Sequence, residues 1–462
     1  MNATDLCLLS AVEQIALLDR RELSVLELVD SHIGRIERFN PLLNAFVTLR
    51  LDEAREEAKL ADQARARGDD IGVLHGLPIG VKDCFPTKGI RTTFASLAFK
   101  DHVPAFDHLV VEREKAAGAI ILGKLNTPEY TMALNTCDNA LFGPTRNPYD
   151  TTLCPGASSG GSSAALAAGL CSLADGSDIG GSVRNPAAWC NIVGHRPTSW
   201  MIPDVPNPAM WHNMNAPGPL ARTVADAALF LSALAGPDPR CPVVVSAPFA
   251  AGLPELTRDM TGLGIGWSRD HGGLEIDPDI GRNFDAQRSV FEDLGCVVAD
   301  CPIDHLDGLD DHYSVLAYQR IAAEVEPAVG RGLDAGLEQK YHWFRGLTGA
   351  DFMAAEARRH RMWNEVSRAF AQHDVLVWPN DLSDPFGFDD VAAGDRHDWS
   401  LLFAAPLLGL PAATVPCGLS ETGIPRGLQI LGRPGADYLV LQVAHAYEQA
   451  TGFGKQRPPL DR

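Results

Sequence analysis

Gly156-Ala157-Ser158-Ser159-Gly160-Gly161-Ser162-Ser163 and, further on, Asp178-Ile179-Gly180-Gly181-Ser182-Val183-Arg184-Asn185-Pro186-Ala187 are the stretches on which the reading of this 462-residue chain turns. Between Gly156 and Pro197, glycine, serine and alanine dominate and long charged side chains are nearly absent, a composition that lets backbones approach closely. The first run leads into an alanine-rich helical segment, whose free N–H groups and positive end would face an anion. Three readings compete there. A phosphate loop ends in Gly-Lys-Ser/Thr, and no lysine occurs between Lys124 and Lys340. Gly156 to Gly160 satisfies G-x-S-x-G, but that nucleophile elbow needs a buried strand immediately before the serine, and Asn147 to Pro155 is not one. Small residues also serve simple tight helix packing. The second cluster shifts the balance, because two serine-centred glycine loops in tandem are far more specific than either alone.

Working outward, Leu77 to Val81 is an apolar strand that ends on Lys82, an unusual place for a lysine. Ser24 with Glu27 is a capping-box pattern opening a helix whose Val25, Leu28, Val29, Ile33, Ile36 and Phe39 recur at helical spacing. Helices are also predicted over Asp52 to Arg67, Val110 to Ala117, Ile280 to Leu294 and Tyr438 to Thr451. Strands are predicted over Ala119 to Gly123, Gly264 to Trp267, Val297 to Ala299 and Val375 to Trp378, with a hairpin from Ala412 to Pro416 and Leu428 to Leu431. Ser199 to Pro219, with five prolines, two tryptophans and three methionines, reads as a long loop. Strands alternating with helices predict an α/β fold. With no internal repeat and no disordered linker, one domain over 1–462 is expected, with a mainly helical excursion over 300–375.

The composition excludes disordered and fibrous classes: 45% of residues are apolar and 21% charged. Lys plus Arg is 39 against 59 Asp plus Glu, a net charge of −20 that repels phosphate backbones and argues against nucleic-acid and anionic-membrane partners. No signal peptide and no membrane-spanning run are read, and ten cysteines without a CxxC pair suit reduced thiols, so a cytoplasmic location is expected. No metal-ligand spacing occurs.

Together with Lys82 in Gly80-Val81-Lys82-Asp83, the two loops match the motif of the amidase signature family, amide hydrolases with a Ser-Ser-Lys triad. The likeness continues through Val193 to Thr198, Pro217 to Arg222 and Leu428 to Arg433 and covers nearly the whole chain. The resemblance implies a large mixed twisted β-sheet flanked by helices on both faces, with a signature core over 70–230. It implies Ser182 as nucleophile, Ser158 as bridging serine held by a cis peptide, Lys82 as general base, and the N–H groups of Ile179, Gly180, Gly181 and Ser182 as the oxyanion hole. The chemistry is coherent on its own terms: a serine needs a base to remove its proton, and a lysine serves only when neutral, well below its ordinary pKa of about 10.4. Asp178 and Arg184 are expected to be structural, and the family's usual apolar-lysine pair is here His195-Arg196.

No cofactor is called for. Ser159, Trp200, Met210, Trp211 and Trp378 are expected to contact substrate, the aromatic and methionine residues as an apolar wall. That wall favours a small-molecule aryl or alkyl amide, anilide or carbamate. The alternative is the glutaminase-type subunit of an amidotransferase complex. A homodimer is consistent with the resemblance.

Overall fold

Among the described residues of this computed structural model (3–69, 71–132, 136–271, 273–303, 309–388, 390 and 399–461), eleven short strands build one sheet. They are β1 (Phe46–Leu49), β2 (Pro78–Lys82), β3 (Ile120–Leu125), β4 (Leu173–Asp178), β5 (Val193–Arg196), β6 (Ala216–Ala221), β7 (Gly264–Trp267), β8 (Val297–Asp300), β9 (Val375–Pro379), β10 (Ala412–Leu419) and β11 (Pro425–Leu431). Their spatial order is β1-β3-β2-β4-β6-β5-β10-β11-β9-β7-β8. β2 runs parallel to β3 and β4, and β7 parallel to β8 and β9; the other pairings are antiparallel. Strands in such a parallel region are covered on both faces, and β2, β3 and β4 are buried along their whole lengths.

Helices flank the sheet. Gly160–Ala167 packs on β2, β3, β4 and β6, Arg184–Trp189 on β5, β10 and β11, and Asp437–Thr451 on β10 and β11. The helix Val25–Leu43 opens with the Ser24–Glu27 capping box and packs on Leu51–Arg67. The expected helix from Ile280 to Leu294 is two, Pro278–Ala286 and Arg288–Asp293, meeting at Gln287. The expected loop from Ser199 to Pro219 ends inside β6. Pro217 and Pro219 pair there with Ser177 and Asp175 of β4, while β5 meets β6 only at Leu220 and Ala221, so no β5 partner stands opposite either proline.

The helical excursion consists of Leu309–Val325, Ala335–Arg345 and Gly349–Gln372; residues 304–308 of its predicted span lie outside the described residues. It builds an apolar cluster of its own with β9 and the helix Ser400–Leu408, separate from the cluster under the amino-terminal helices. Ile179 belongs to the former and Val183 to the latter, so the second glycine loop sits on the seam between them.

His195 and Arg196 close β5 in opposite directions, as strand alternation requires. The His195 ring meets Asp437 Oδ1 at 3.1 Å, and Asp437 also accepts the Thr198 N–H at 2.9 Å, tying β5 to the last helix. All three residues are buried. Asp437→Ala strands these donors and should cost about 3 kcal/mol in urea unfolding; a loss under about 1 kcal/mol would contradict this clamp.

Candidate active site

Lys82 ends β2 where its pairing with β4 has already stopped. That pairing is confined to Ile79 and Gly80, and the Lys82 N–H goes instead to the side chain of Asp175, whose Oδ1 accepts it at 2.6 Å. The lysine side chain is fully buried, and Nζ stands 2.7 Å from Ser158 Oγ, 2.9 Å from Ser159 Oγ and 3.0 Å from Ser177 Oγ. All three neighbours are hydroxyls rather than carboxylates. Burial therefore pulls the Lys82 pKa below its ordinary value, against the opposing fields of Cys84, Cys137, Asp175 and Asp178. The two thiols are themselves pushed up by burial to about 11, so near neutrality they are uncharged, and only the two aspartates oppose the shift.

The first glycine loop brings Ser158 to the lysine through a cis Ala157–Ser158 peptide. Two hydrogen bonds sew it to the second loop: Ser159 N–H donates to the Ser182 carbonyl at 3.2 Å, and Ala157 N–H to Asn185 Oδ1 at 3.1 Å. Ser158 and Ser182 retain only 2% and 6% exposure, a dry setting in which hydroxyl contacts count for more than in water.

The second loop is wound around Asp178. Its carboxylate accepts Gly181 N–H at 2.8 Å, Val183 N–H at 3.3 Å and the Arg184 guanidinium at 3.0 and 3.1 Å. Burial alone would raise this carboxyl, but Arg184 and Arg196 together hold it below the ordinary aspartate value. The Gly181 N–H is thus occupied, which removes it from the expected oxyanion donors and leaves those of Ile179, Gly180 and Ser182. Gly181 has φ +106°, and a Cβ there would lie 2.5 Å from Leu402. A Cβ on Gly180 would lie 2.3 Å from Tyr313 Oη, which donates to the Ile179 carbonyl at 3.0 Å while its ring stacks on Phe403 at 3.9 Å.

The residues expected to form an apolar wall do not share one cluster: Trp378 lies in the cluster that holds Ile179, and Trp200 and Met210 lie in another. Asp204 draws the loop down: its carboxylate meets His108 at 3.0 Å, Asn215 at 2.8 Å and the partly buried Arg320 at 2.5 Å. Trp200 and Met210 consequently pack with Leu109, Val205 and Cys241, in a cluster without any residue of the two glycine loops. Trp211 is 75% exposed, and Trp378 is fully buried in β9 with its ring edge-on to His271 at 4.2 Å. Ser159 is buried, and its hydroxyl is turned to Lys82. A separate groove of about 640 Å³, lined by Arg50, Glu57, His75, Lys88 and Arg91 among others, contains none of the triad residues.

Four residues at the site, Asp175, Ser177, Tyr313 and Asp381, were not singled out from sequence. Ser177 alternates with Asp175 on one face of β4, a period-two signal that was there to be found. Tyr313 arrives from a helix more than a hundred residues away and leaves no local trace. Asp381 follows β9, accepts from Asn185 at 2.7 Å and Asn380 at 2.8 Å, and is pushed up to about 7 by burial. Among the described residues no cluster of three or more His, Cys, Asp or Glu is placed to hold a metal ion, and no helix is long and apolar enough to cross a membrane.

The model of the Amidase family matches residues 27–441. A glutamyl-tRNA(Gln) amidotransferase subunit from Moorella thermoacetica is 36% identical, covering 99% of this chain and 99% of the relative. The corresponding subunit from Synechococcus sp. is 34% identical over 95% of each. Among solved structures, a bacterial aryl acylamidase of the amidase signature family superposes with a TM-score of 0.88 at 28% identity, covering 97% of both chains. A 6-aminohexanoate cyclic dimer hydrolase complexed with substrate gives 0.89 at 27% identity, covering 99% of this chain and 100% of that one.

The contact between Gly180 and Tyr313 yields a test of the loop's packing. Gly180→Ala should lower the unfolding free energy in urea by about 1–3 kcal/mol, and adding Tyr313→Phe, which removes the clashing oxygen, should restore part of that loss. A double variant no more stable than the single one would contradict the arrangement.

Proposed function

The chain belongs to the amidase family, whose members hydrolyse carbon–nitrogen amide bonds, and on that premise we propose that it works through an acyl-enzyme on Ser182, with Ser158 as relay and Lys82 as base. The observation that carries this reading is the 2.7 Å contact between Lys82 Nζ and Ser158 Oγ in a buried pocket of hydroxyls. A neutral amine donates two hydrogen bonds and accepts one. With Ser159 and Ser177 accepting the two N–H bonds, the lone pair is free for the Ser158 hydroxyl. As Ser182 Oγ attacks the amide carbon, its proton passes to Ser158 Oγ while the Ser158 proton moves to Lys82. The N–H groups of Ile179, Gly180 and Ser182 meet the developing oxyanion. The proton returns by the same path to the departing amine as the C–N bond breaks, and water then repeats the cycle on the ester.

Two substrate readings stand on different observations. The curated relatives at 36% and 34% identity are amidotransferase subunits, which supports a glutaminase-type subunit working with partner proteins, and this is the better supported of the two. An aryl or alkyl amide, anilide or carbamate is favoured instead by the side of the glycine loop packed against the apolar and aromatic side chains of Tyr313, Leu402 and Phe403. Ammonia release from glutamine faster than anilide cleavage, with kcat/KM measured on the purified chain, supports the first; the reverse supports the second.

The triad itself is tested without knowing the substrate. An alkyl fluorophosphonate should phosphonylate Ser182, located by peptide mapping, faster as pH rises and the Lys82 ammonium loses its proton. Lys82→Met should slow the labelling at least about 100-fold, the scale of general-base catalysis. An adduct on Ser158, or a rate unaffected by the lysine substitution, would overturn the assignment.

A further inference from the structure

Behind the lysine lies a second buried proton site that the proposed chemistry does not use. Glu114, in the helix Leu109–Ala116, and Asp175 of β4 are 0% and 1% exposed, and their carboxyl groups are neighbours that feel each other's charge. Both oxygens of Glu114 and Oδ2 of Asp175 have no donor from the rest of the protein. The nearby cations do not neutralise the pair by contact: Lys124 Nζ is committed to the Phe85 carbonyl at 2.6 Å and Thr87 Oγ1 at 2.7 Å, and Lys82 Nζ to its three serines. Two ionised carboxylates in that setting would repel each other with nothing dry to compensate, so a proton must lie between them.

Its location follows from the remaining contacts. Asp175 Oδ1 already accepts the Lys82 N–H, and Asp175 feels both Lys82 and Lys124, whereas neither carboxyl oxygen of Glu114 has a donor. The charge therefore rests on Asp175 and the proton on Glu114. Burial pushes Asp175 up to about 6 and Glu114 well above the ordinary glutamate value, in the same order. The other titratable groups facing the pair are Lys115 on the helix of Glu114, Asp83 and Cys84 after β2, Lys124 on β3 and Cys171 before β4.

We propose that Glu114 and Asp175 share one proton as a buried acid–carboxylate pair, and that Asp175 is a positioning residue for Lys82. It stands in for the missing strand carbonyl at the lysine N–H and sets, through its charge, the pH at which the amine becomes neutral. This rests on Lys82 being the base for Ser182. The sign is fixed: a negative charge near the amine favours the ammonium, so removing it lets Lys82 lose its proton at lower pH.

The test is the pH dependence of fluorophosphonate trapping at Ser182 in Asp175→Asn and Glu114→Gln. Asp175→Asn keeps the acceptor for the Lys82 N–H but loses the charge, and its midpoint should move to lower pH by about half a unit or more. Glu114→Gln keeps a donor to Asp175, and its midpoint should stay within about 0.2 unit of the parent. A midpoint in Asp175→Asn that is unmoved or higher overturns the positioning role, which a merely structural aspartate would leave unmoved. A second readout needs neither trapping nor the substituted aspartate to fold. In 13C NMR of carboxyl-labelled parent protein, one glutamate carboxyl should remain protonated at pH 7 and vanish in Glu114→Gln. Finding every glutamate ionised at that pH overturns the shared proton. Failure of the parent to be trapped at all would end the Ser182 reading, while the carboxyl spectrum still decides the pair.

Discussion

A lysine side chain carried into a dry sheet interior with hydroxyls, not carboxylates, around its nitrogen is the constraint from which the rest of the site follows. An ammonium without a counter-ion is costly to bury, and that cost pulls the Lys82 pKa below its ordinary value. The serine-bearing β4 beside the strand of Lys82 and the two glycine loops are rich in small residues, which lets three hydroxyls converge on one nitrogen. The sheet supplies rigidity, and the helical excursion supplies Tyr313, which closes on the carbonyl of Ile179 from outside the signature segment.

One strand holds two buried aspartates, three residues apart, with different partners. Asp178 faces Arg184 and Arg196 and stays ionised, which makes it a hub for the N–H groups of Gly181 and Val183. Asp175 faces a glutamate instead and shares a proton with it. Burial is nearly equal at the two positions, so the partners decide how each charge is held. That division lets Asp178 hold the second glycine loop while Asp175, earlier on β4, holds the backbone of Lys82 at the end of β2.

Much of this was legible because it is written in local composition. The tandem loops around Ser158 and Ser182 stand out for their lack of long side chains, and Lys82 for closing an apolar strand. What local patterns do not record is the direction in which a loop is pulled. Trp200, Met210, Trp211 and Trp378 have the right chemistry for a substrate wall. Yet Asp204 turns the loop toward Leu109, and Trp378 lies in a strand covered on both faces. The resemblance implies Gly181 as an oxyanion donor, and it does not record that Asp178, three residues earlier, accepts the Gly181 N–H. Pro217 and Pro219 suggest a loop until the one-sided pairing of β6 is seen. Tyr313 needed the tertiary structure outright.

The charge on Lys82 can be observed directly. The chain has eight lysines, a sparse set for 13C NMR of labelled lysine Cε carbons, with Lys82→Met and Lys124→Met providing the assignments. The account predicts that the Lys82 resonance titrates below the exposed lysines and is that of a neutral amine at the pH where Ser182 reacts. A Lys82 that stays an ammonium there, titrating with the exposed lysines, would contradict it.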